Sequence, residues 1–353
     1  MKRLVILGGG YGGMNIISNL LQQQLPENIE ITLVDRNPYH ALKTEFYATA
    51  AGTKANTEVR LDFPVDHRVR YVYKEIDAVQ TEEKQIVFAD ESEPLAYDYL
   101  VVGLGAEDTY HRIPGAATHT YSVQTMTEAV KTGAAVANTR PHGKIIIVGG
   151  GLSGIEVAAE IRSSRPDLRI QLMDRNEAVL RPFDMKIREY VEAWLLKNHV
   201  EVIHHSQVEA VDPDGVVNRN EKYKSDVTIW TAGVVPNRIV QALPYEKDRE
   251  GKIVINEFYQ VPEDESVYIV GDCATSEYSP SAQLARQQGQ QIADILLSVL
   301  SNKQPKTPKP IKLKGTLGSL GRSDGFGNMM DKPMTGWLPR VAKSGVLWLN
   351  KRH

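Results

Sequence analysis

One stretch of this chain occurs twice. Lys2-Arg-Leu-Val-Ile-Leu-Gly-Gly-Gly-Tyr-Gly-Gly13 and Gly143-Lys-Ile-Ile-Ile-Val-Gly-Gly-Gly-Leu-Ser-Gly154 each drive an apolar run into Gly-x-Gly-x-x-Gly. Each then enters a helical stretch, Met14–Gln23 or Ile155–Ser163. A second apolar run follows and ends in an acid, Asp35 or Asp174, 22 and 20 residues past the last glycine of its loop. Short apolar runs alternating with helical pattern predict parallel strands and an α/β fold. The glycines have distinct duties in such a unit. Gly8 and Gly149 permit the tight strand-to-helix turn, Gly10 and Gly151 let backbone approach a pyrophosphate, and Gly13 and Gly154 let helix and strand pack closely. The phosphates then sit on the positive end of the helix. The terminal acid accepts hydrogen bonds from ribose hydroxyls and repels a 2′-phosphate. A lone Gly-x-Gly-x-x-Gly is a weak signal; two in matched settings predict two dinucleotide sites. Arg36 and Arg175 directly follow the acids and leave some room for a 2′-phosphate, but NAD is the expected nucleotide.

With 353 residues, 42% of them hydrophobic, the chain suits two domains and a tail. No segment has the ~18 consecutive apolar residues of a membrane span. The Leu4–Leu7 run goes straight into glycines and reads as a strand, not a secretory signal, so the chain is expected in the cytoplasm. One cysteine, Cys273, excludes a disulfide framework, a Cys-x-x-Cys pair and a multi-cysteine metal site; it reads as a small buried filler. His204 and His205 have no partner at metal spacing, and no metal site is expected. Hard chemistry then falls to a bound organic cofactor.

Tyr97-Asp-Tyr-Leu-Val-Val-Gly-Leu-Gly105 and Ser225-Asp-Val-Thr-Ile-Trp-Thr-Ala-Gly233 form a second matched pair, one after each loop, and read as the strands that return to each sheet. Glu265-Ser-Val-Tyr-Ile-Val-Gly-Asp272 supplies a last buried strand. This order, over residues 1 to about 300, resembles the two-dinucleotide-binding-domain flavoproteins of the disulfide-reductase-like superfamily. The resemblance implies two Rossmann-like domains, with the NAD(H) domain inserted in the FAD domain, plus a short C-terminal region. It assigns 1–112 and 240–310 to FAD, 113–239 to NAD(H), and 311–353 to a basic, membrane-facing segment. The residues implied to line the nucleotides are Gly8, Gly10, Tyr11, Gly12, Gly13, Asp35, Arg36, His40, Gly105, Asp272 and Ala282 for FAD, and Gly149, Gly151, Gly154, Asp174 and Gly233 for NAD(H). On its own, a lone loop histidine such as His40 is as readily a scaffold element.

Thiol-using branches of that superfamily need cysteines after the first ribose acid, and Asn37-Pro-Tyr-His-Ala-Leu-Lys-Thr-Glu-Phe-Tyr47 has none. The stretch Asn37–Gly52 instead resembles the type II NADH dehydrogenases, NADH:quinone oxidoreductases of one subunit. So does Ala282-Gln-Leu-Ala-Arg-Gln287, which is similar to that family's Ala-Gln-x-Ala-x-Gln motif. The resemblance implies that Gln283 and Gln287 line a quinone pocket and that Glu156 faces nicotinamide and flavin, orienting the carboxamide or assisting protonation. Read locally, Ser279 is the expected N-cap and Pro280 the first helical residue, with Gln283 and Gln287 on one face. Glu156 also has a plain reading, complementing a helix dipole. Leu104 stands where the family commonly has Thr in Ala-Thr-Gly. A soluble NADH diaphorase with a non-quinone acceptor, or a non-catalytic flavin and NADH sensor, therefore stays open.

From Ser301 onward there are eleven Lys or Arg against two Asp, although the whole chain carries −3. Residues 303–314 alternate lysine with proline, an extended linker, and Gly336–Leu349 mixes Trp337 and Trp348 with aliphatics and cations. That composition predicts contact with an anionic membrane surface through 301–353, peripherally on the cytoplasmic face. Family members continue further into amphipathic anchor helices, so a cap over the quinone channel or a homodimer contact is the other expectation. Without stacking aromatics among its cations, the tail is not expected to bind nucleic acid.

Overall fold

The computed structural model describes residues 1–330 and 332–350, with only the backbone described for 346–350. The chain divides into two units. One contains Met1–Ala41, Arg60–Glu107 and Val235–Leu313; the other contains Leu42–Val59, Asp108–Val234 and Lys314–His353.

The first unit is built on a six-stranded sheet in the order Gln260–Val261, Asp264–Ile269, Tyr99–Val102, Lys2–Leu7, Ile29–Asp35, Val69–Tyr73. All pairings are parallel except that of the Gln260–Val261 edge. Leu4, Val5, Ile6 and Leu7 are buried along the central strand, and that burial on both faces explains its unbroken apolar sequence. Helices Tyr11–Leu21 and Ala282–Leu300 cover one face with Ile16, Ile17, Leu20, Ile292, Ile295 and Leu296. They meet at Gly289, where a Cβ would lie 2.7 Å from the carbonyl oxygen of Gly12. A three-stranded sheet, Ile76–Gln80, Gln85–Phe88 and Leu95–Ala96, adds Ile76, Ile86 and Phe88 to the core on Val5, Leu7 and Val102.

The second unit repeats the plan with four parallel strands in the order Val200–Ile203, Arg169–Met173, Lys144–Val148, Val227–Trp230. The strands expected to return to each sheet do so, Tyr99–Val102 beside Lys2–Leu7 and Val227–Trp230 beside Lys144–Val148.

Two segments join this unit that the linear domain division left elsewhere. Residues 42–59, expected with 1–112, place Tyr47, Ala48, Ala50 and Ala51 in one core with Ile155, Ala158 and Ala159 of helix Leu152–Ser164. Phe46–Ala50 has too little apolar surface to fold alone, and it finds its cover on that helix. The C-terminal segment is a sheet, Gly315–Leu320, Asp324–Met329 and Lys332–Gly336, followed by helix Trp337–Asn350. Leu320 and Phe326 enter the same core, with Phe326 edge-on to Phe183 at 5.7 Å. Among the described residues no helix is long and apolar enough to cross a membrane. Trp348 lies among the residues of which only backbone is described, and Lys351–His353 lie outside the described residues.

Candidate active site

Both glycine loops close in the same way. Gly8 and Gly149 turn at φ +96° and +115°. A Cβ on Gly13 would stand 2.1 Å from the Gly8 carbonyl oxygen, and one on Gly154 would stand 1.9 Å from that of Gly149, so helix and loop touch as the spacing predicts. Gly10 and Gly151 differ: they are the N-caps of helices Tyr11–Leu21 and Leu152–Ser164, no side chain caps either, and a Cβ there would meet nothing within 4 Å. No steric demand inside the protein explains these two glycines. Open ground over an uncapped helix N-terminus suits a pyrophosphate.

The acids have a role that spacing did not disclose. Asp35 Oδ2 accepts from the Gly9 N–H at 2.7 Å while Oδ1 accepts from the Asn37 N–H at 2.7 Å. Asp174 does the same with the Gly150 N–H and the Asn176 N–H, each at 2.7 Å. Each carboxylate thus braces its own glycine loop. Burial raises the Asp35 carboxyl above its usual range, partly offset by those backbone donors. Arg36 and Arg175 point to solvent.

His40 is buried and gives its Nδ1 proton to the Gly9 carbonyl at 2.8 Å, a scaffold role. Burial holds it below the usual histidine range and keeps it neutral near neutral pH. Its ring meets the edge of Tyr11, over which the Arg286 guanidinium lies at 5.0 Å. Gly12 packs against Val270, and the Gly105 carbonyl accepts from Cys273, which is buried. Asp272 lies half-buried in the turn Gly271–Cys273, whose Gly271 N–H donates to Gln288 Oε1 at 2.8 Å.

The glutamine helix begins later than expected. Its N-cap is Ser281, whose hydroxyl accepts from the Leu284 N–H at 3.1 Å, and Ala282 is its first residue. Ser279 and Pro280 lie before it, and Ser281, in extended conformation, is the serine whose hydroxyl reaches the third helical amide. Gln287 is tied to the linker: its amide donates to the Lys312 carbonyl at 2.9 Å and accepts from the Lys312 N–H at 3.0 Å. Gln291 donates to the Lys309 carbonyl at 2.7 Å. A lysine-proline segment has no strand to satisfy its backbone, and these amides do so. Gln283 is half-buried and bonded, and the fully buried amide is Gln288, which the motif did not single out.

In the second unit, Val123, Gln124, Gly151, Leu152, Ser153, Thr231, Gly233 and Val234 line a cavity of about 200 Å³ above the helix N-terminus. Gln124 Oε1 is buried there without a hydrogen-bond partner, which suits a ligand that brings a donor.

Glu156, in the second turn of the same helix rather than the first, is buried against Lys343 of the C-terminal helix; their side chains are only 7% and 9% exposed. The Lys343 ammonium donates to Glu156 Oε1, as does the Ser319 N–H at 2.8 Å. Burial pushes the Glu156 carboxyl above its ordinary range, with the ammonium and the Ser319 N–H pulling the other way. A carboxyl poised like this can hold a proton and release it. A dipole-complementing glutamate would sit in water, so the plain reading of Glu156 does not describe it. Lys343 was not foreseen: it lies in Val-Ala-Lys-Ser, where nothing local separates it from a surface lysine.

Residues 2–289 match the family model described as pyridine nucleotide-disulphide oxidoreductase. The chain belongs to this family. It is 44% identical to the NADH dehydrogenase-like protein YutJ of Bacillus subtilis, over 100% of this chain and 99% of that one. It is 24% identical to a type II NADH:quinone oxidoreductase of Staphylococcus aureus, over 95% of this chain and 91% of the relative. Among solved structures, NDH2 from Plasmodium falciparum in complex with NADH superposes with a TM-score of 0.84 at 17% identity, covering 99% of this chain and 94% of that one. The α/β fold of two dinucleotide-binding cores is that of the family's oxidoreductases. FAD and NAD(H) are accordingly its cofactors, and the protein is an oxidoreductase acting on NADH.

Proposed function

We propose that this protein is an NADH dehydrogenase that passes hydride from NADH to FAD and the electrons on to a quinone. Residues of the first cradle, Gly8 to Gly13 with Asp35 and Tyr11, hold FAD, and those of the second, Gly149 to Gly154 with Asp174, Gly233 and Gln124, hold NADH. FAD, when bound, supplies the two-electron carrier between donor and acceptor. The residues of the chain position, shield and manage protons.

The observation that carries this reading is the buried Glu156–Lys343 pair at the head of the nicotinamide-domain helix. A quinone gains two protons with its two electrons, so a proton-holding carboxyl is needed for that acceptor and superfluous for a one-electron protein acceptor. Cys273, the single cysteine, is buried with its thiol on Gly105, so no dithiol serves as an intermediate acceptor. The quinone acceptor of the Staphylococcus aureus relative supports the same reading.

The test is optical. Purified protein is expected to be yellow, to bleach with NADH, and to regain colour on adding a menaquinone or ubiquinone analogue under anaerobic conditions. Bleaching followed by recovery only in air would replace the quinone with oxygen as acceptor, and a colourless protein unable to take up FAD would end the proposal.

The same reading places the protein against an anionic membrane surface, where quinones reside. Trp337, Leu338 and Val341 are exposed on the C-terminal helix, Trp337 by 64%, beside a segment rich in lysine. Co-sedimentation with anionic liposomes at low salt, lost at high salt and absent with neutral liposomes, is the expected result; indifference to lipid charge would refute it.

A further inference from the structure

Resting on the reading that Glu156 delivers a proton to the acceptor, we propose that Glu45, Tyr47 and Ser319 form the path by which Glu156 is reloaded from solvent, with Lys54 at its outer end. Glu45 is the one further carboxylate that the Lys43–Ala50 segment brings beside Glu156, and it is buried to 2% exposure. Its Oε2 is bound by the Lys54 ammonium, and Lys54 is 36% exposed, so the pair opens to water. The Tyr47 hydroxyl lies 3.4 Å from Glu45 Oε1 and 3.2 Å from the Ser319 hydroxyl. Ser319, itself buried, turns its N–H to Glu156. Beyond these contacts the path needs one movement, a χ1 rotation of Ser319 that carries its hydroxyl from Tyr47 to the Glu156 carboxyl its N–H already binds. The Lys343 ammonium lies over the Tyr47 ring at 4.5 Å while bonding Glu156, which holds the phenol in line.

These groups fit transfer better than they fit packing. Buried charge pairs are usually no better for stability than apolar side chains of equal volume, so the Glu156–Lys343 pair, with the buried Glu45 carboxyl beside it, calls for another role. Burial pushes the Tyr47 phenol far above its ordinary range, so it keeps its proton and can only relay one. The other charged groups packed around Glu156 are engaged elsewhere: Arg340 bonds the Gly321 carbonyl and Ser344, and Glu160, one turn further along the helix, accepts from Thr53.

The proton balance requires such a path. NADH brings a hydride, which is two electrons and one proton, and the acceptor leaves with two electrons and two protons, so one proton per turnover enters from solvent. When the Glu156 carboxyl O–H bond breaks toward the acceptor, the Ser319 hydroxyl proton moves to Glu156 and the Tyr47 proton moves to Ser319. The Glu45 carboxyl proton then moves to Tyr47, and Glu45 is refilled from water beside Lys54. Every hydroxyl ends with the proton count it began with.

The experiment has two arms. In the first, infrared spectroscopy follows hydrogen–deuterium exchange of the Glu156 carboxyl, assigned by its loss in Glu156→Gln; it needs no turnover. Glu45→Gln and Tyr47→Phe, which keep shape, and Lys54→Met, at a partly exposed position, are expected to slow that exchange about tenfold or more. In the second arm, stopped-flow on FAD-loaded enzyme is expected to show quinone reoxidation slowed about tenfold in Glu45→Gln and Tyr47→Phe, with a larger solvent isotope effect and partial recovery as pH falls. Bleaching by NADH in the same samples reports folding and nucleotide binding. Carboxyl exchange at the wild-type rate in all three variants overturns the path alone. Normal reoxidation of Glu156→Gln overturns the reading beneath it.

Discussion

Lys343→Met is expected to lower the unfolding free energy by about 3–5 kcal/mol, because removing one partner of a buried ion pair leaves the other charge uncompensated. Glu156 would keep the Ser319 N–H but lose the ammonium that draws its carboxyl down. Its folded-state proton affinity, already raised by burial, then rises further. A carboxyl raised above its unfolded value contributes stability that is complete below the unfolded value and is lost as pH climbs through the folded one. The variant is therefore expected to be nearest wild type at acid pH and to lose stability as pH rises. Pairing it with Glu156→Gln should restore most of the loss, since a neutral amide oxygen still accepts from Ser319 and no charge is stranded. Urea melts of the four proteins on either side of neutrality measure this. A loss under about 1 kcal/mol, the size of an exposed pair, with no pH dependence would mean the pair is solvated.

The second large effect separates the two cradles. Gly13→Ala and Gly154→Ala each place a methyl group about where a loop carbonyl already stands, 2.1 Å and 1.9 Å away, so loop and helix must part. Overpacking of this kind costs roughly 1–3 kcal/mol or more and displaces the helix amides from the phosphates. Gly13→Ala is expected to purify without yellow colour. Gly154→Ala should keep its colour but need about a hundredfold more NADH to bleach, a shift of ~2.7 kcal/mol in binding. Absorbance during an NADH titration distinguishes them. The reverse pattern, with Gly154→Ala colourless and Gly13→Ala yellow, would exchange the nucleotides between the cradles.

Much of the fold was legible because its determinants are local. A glycine is required where backbone meets backbone, and both loops show that contact at the positions the spacing names. The short apolar strands and their parallel order follow from burial on both sheet faces. Less of the candidate site was legible. The motif pointed to Gln283 and Gln287 but could not show that Gln287 bonds the backbone of Lys312 or that Gln288, on the face toward the Gly271 turn, is the buried amide. Ser279 and Ser281 are equally good caps by residue type, and the structure puts the cap on Ser281, whose hydroxyl accepts from the Leu284 N–H.

By itself the sequence determined two glycine-rich strand-to-helix loops and a single cysteine, because loop spacing and residue identity suffice for each. Tertiary structure alone decided that Glu45 and Tyr47 of residues 42–59 and Ser319 and Lys343 of the C-terminal segment would meet at Glu156, the last across 187 positions of chain. A buried carboxylate is tolerated only where a distant segment supplies its counter-charge, and no local pattern encodes which segment that will be.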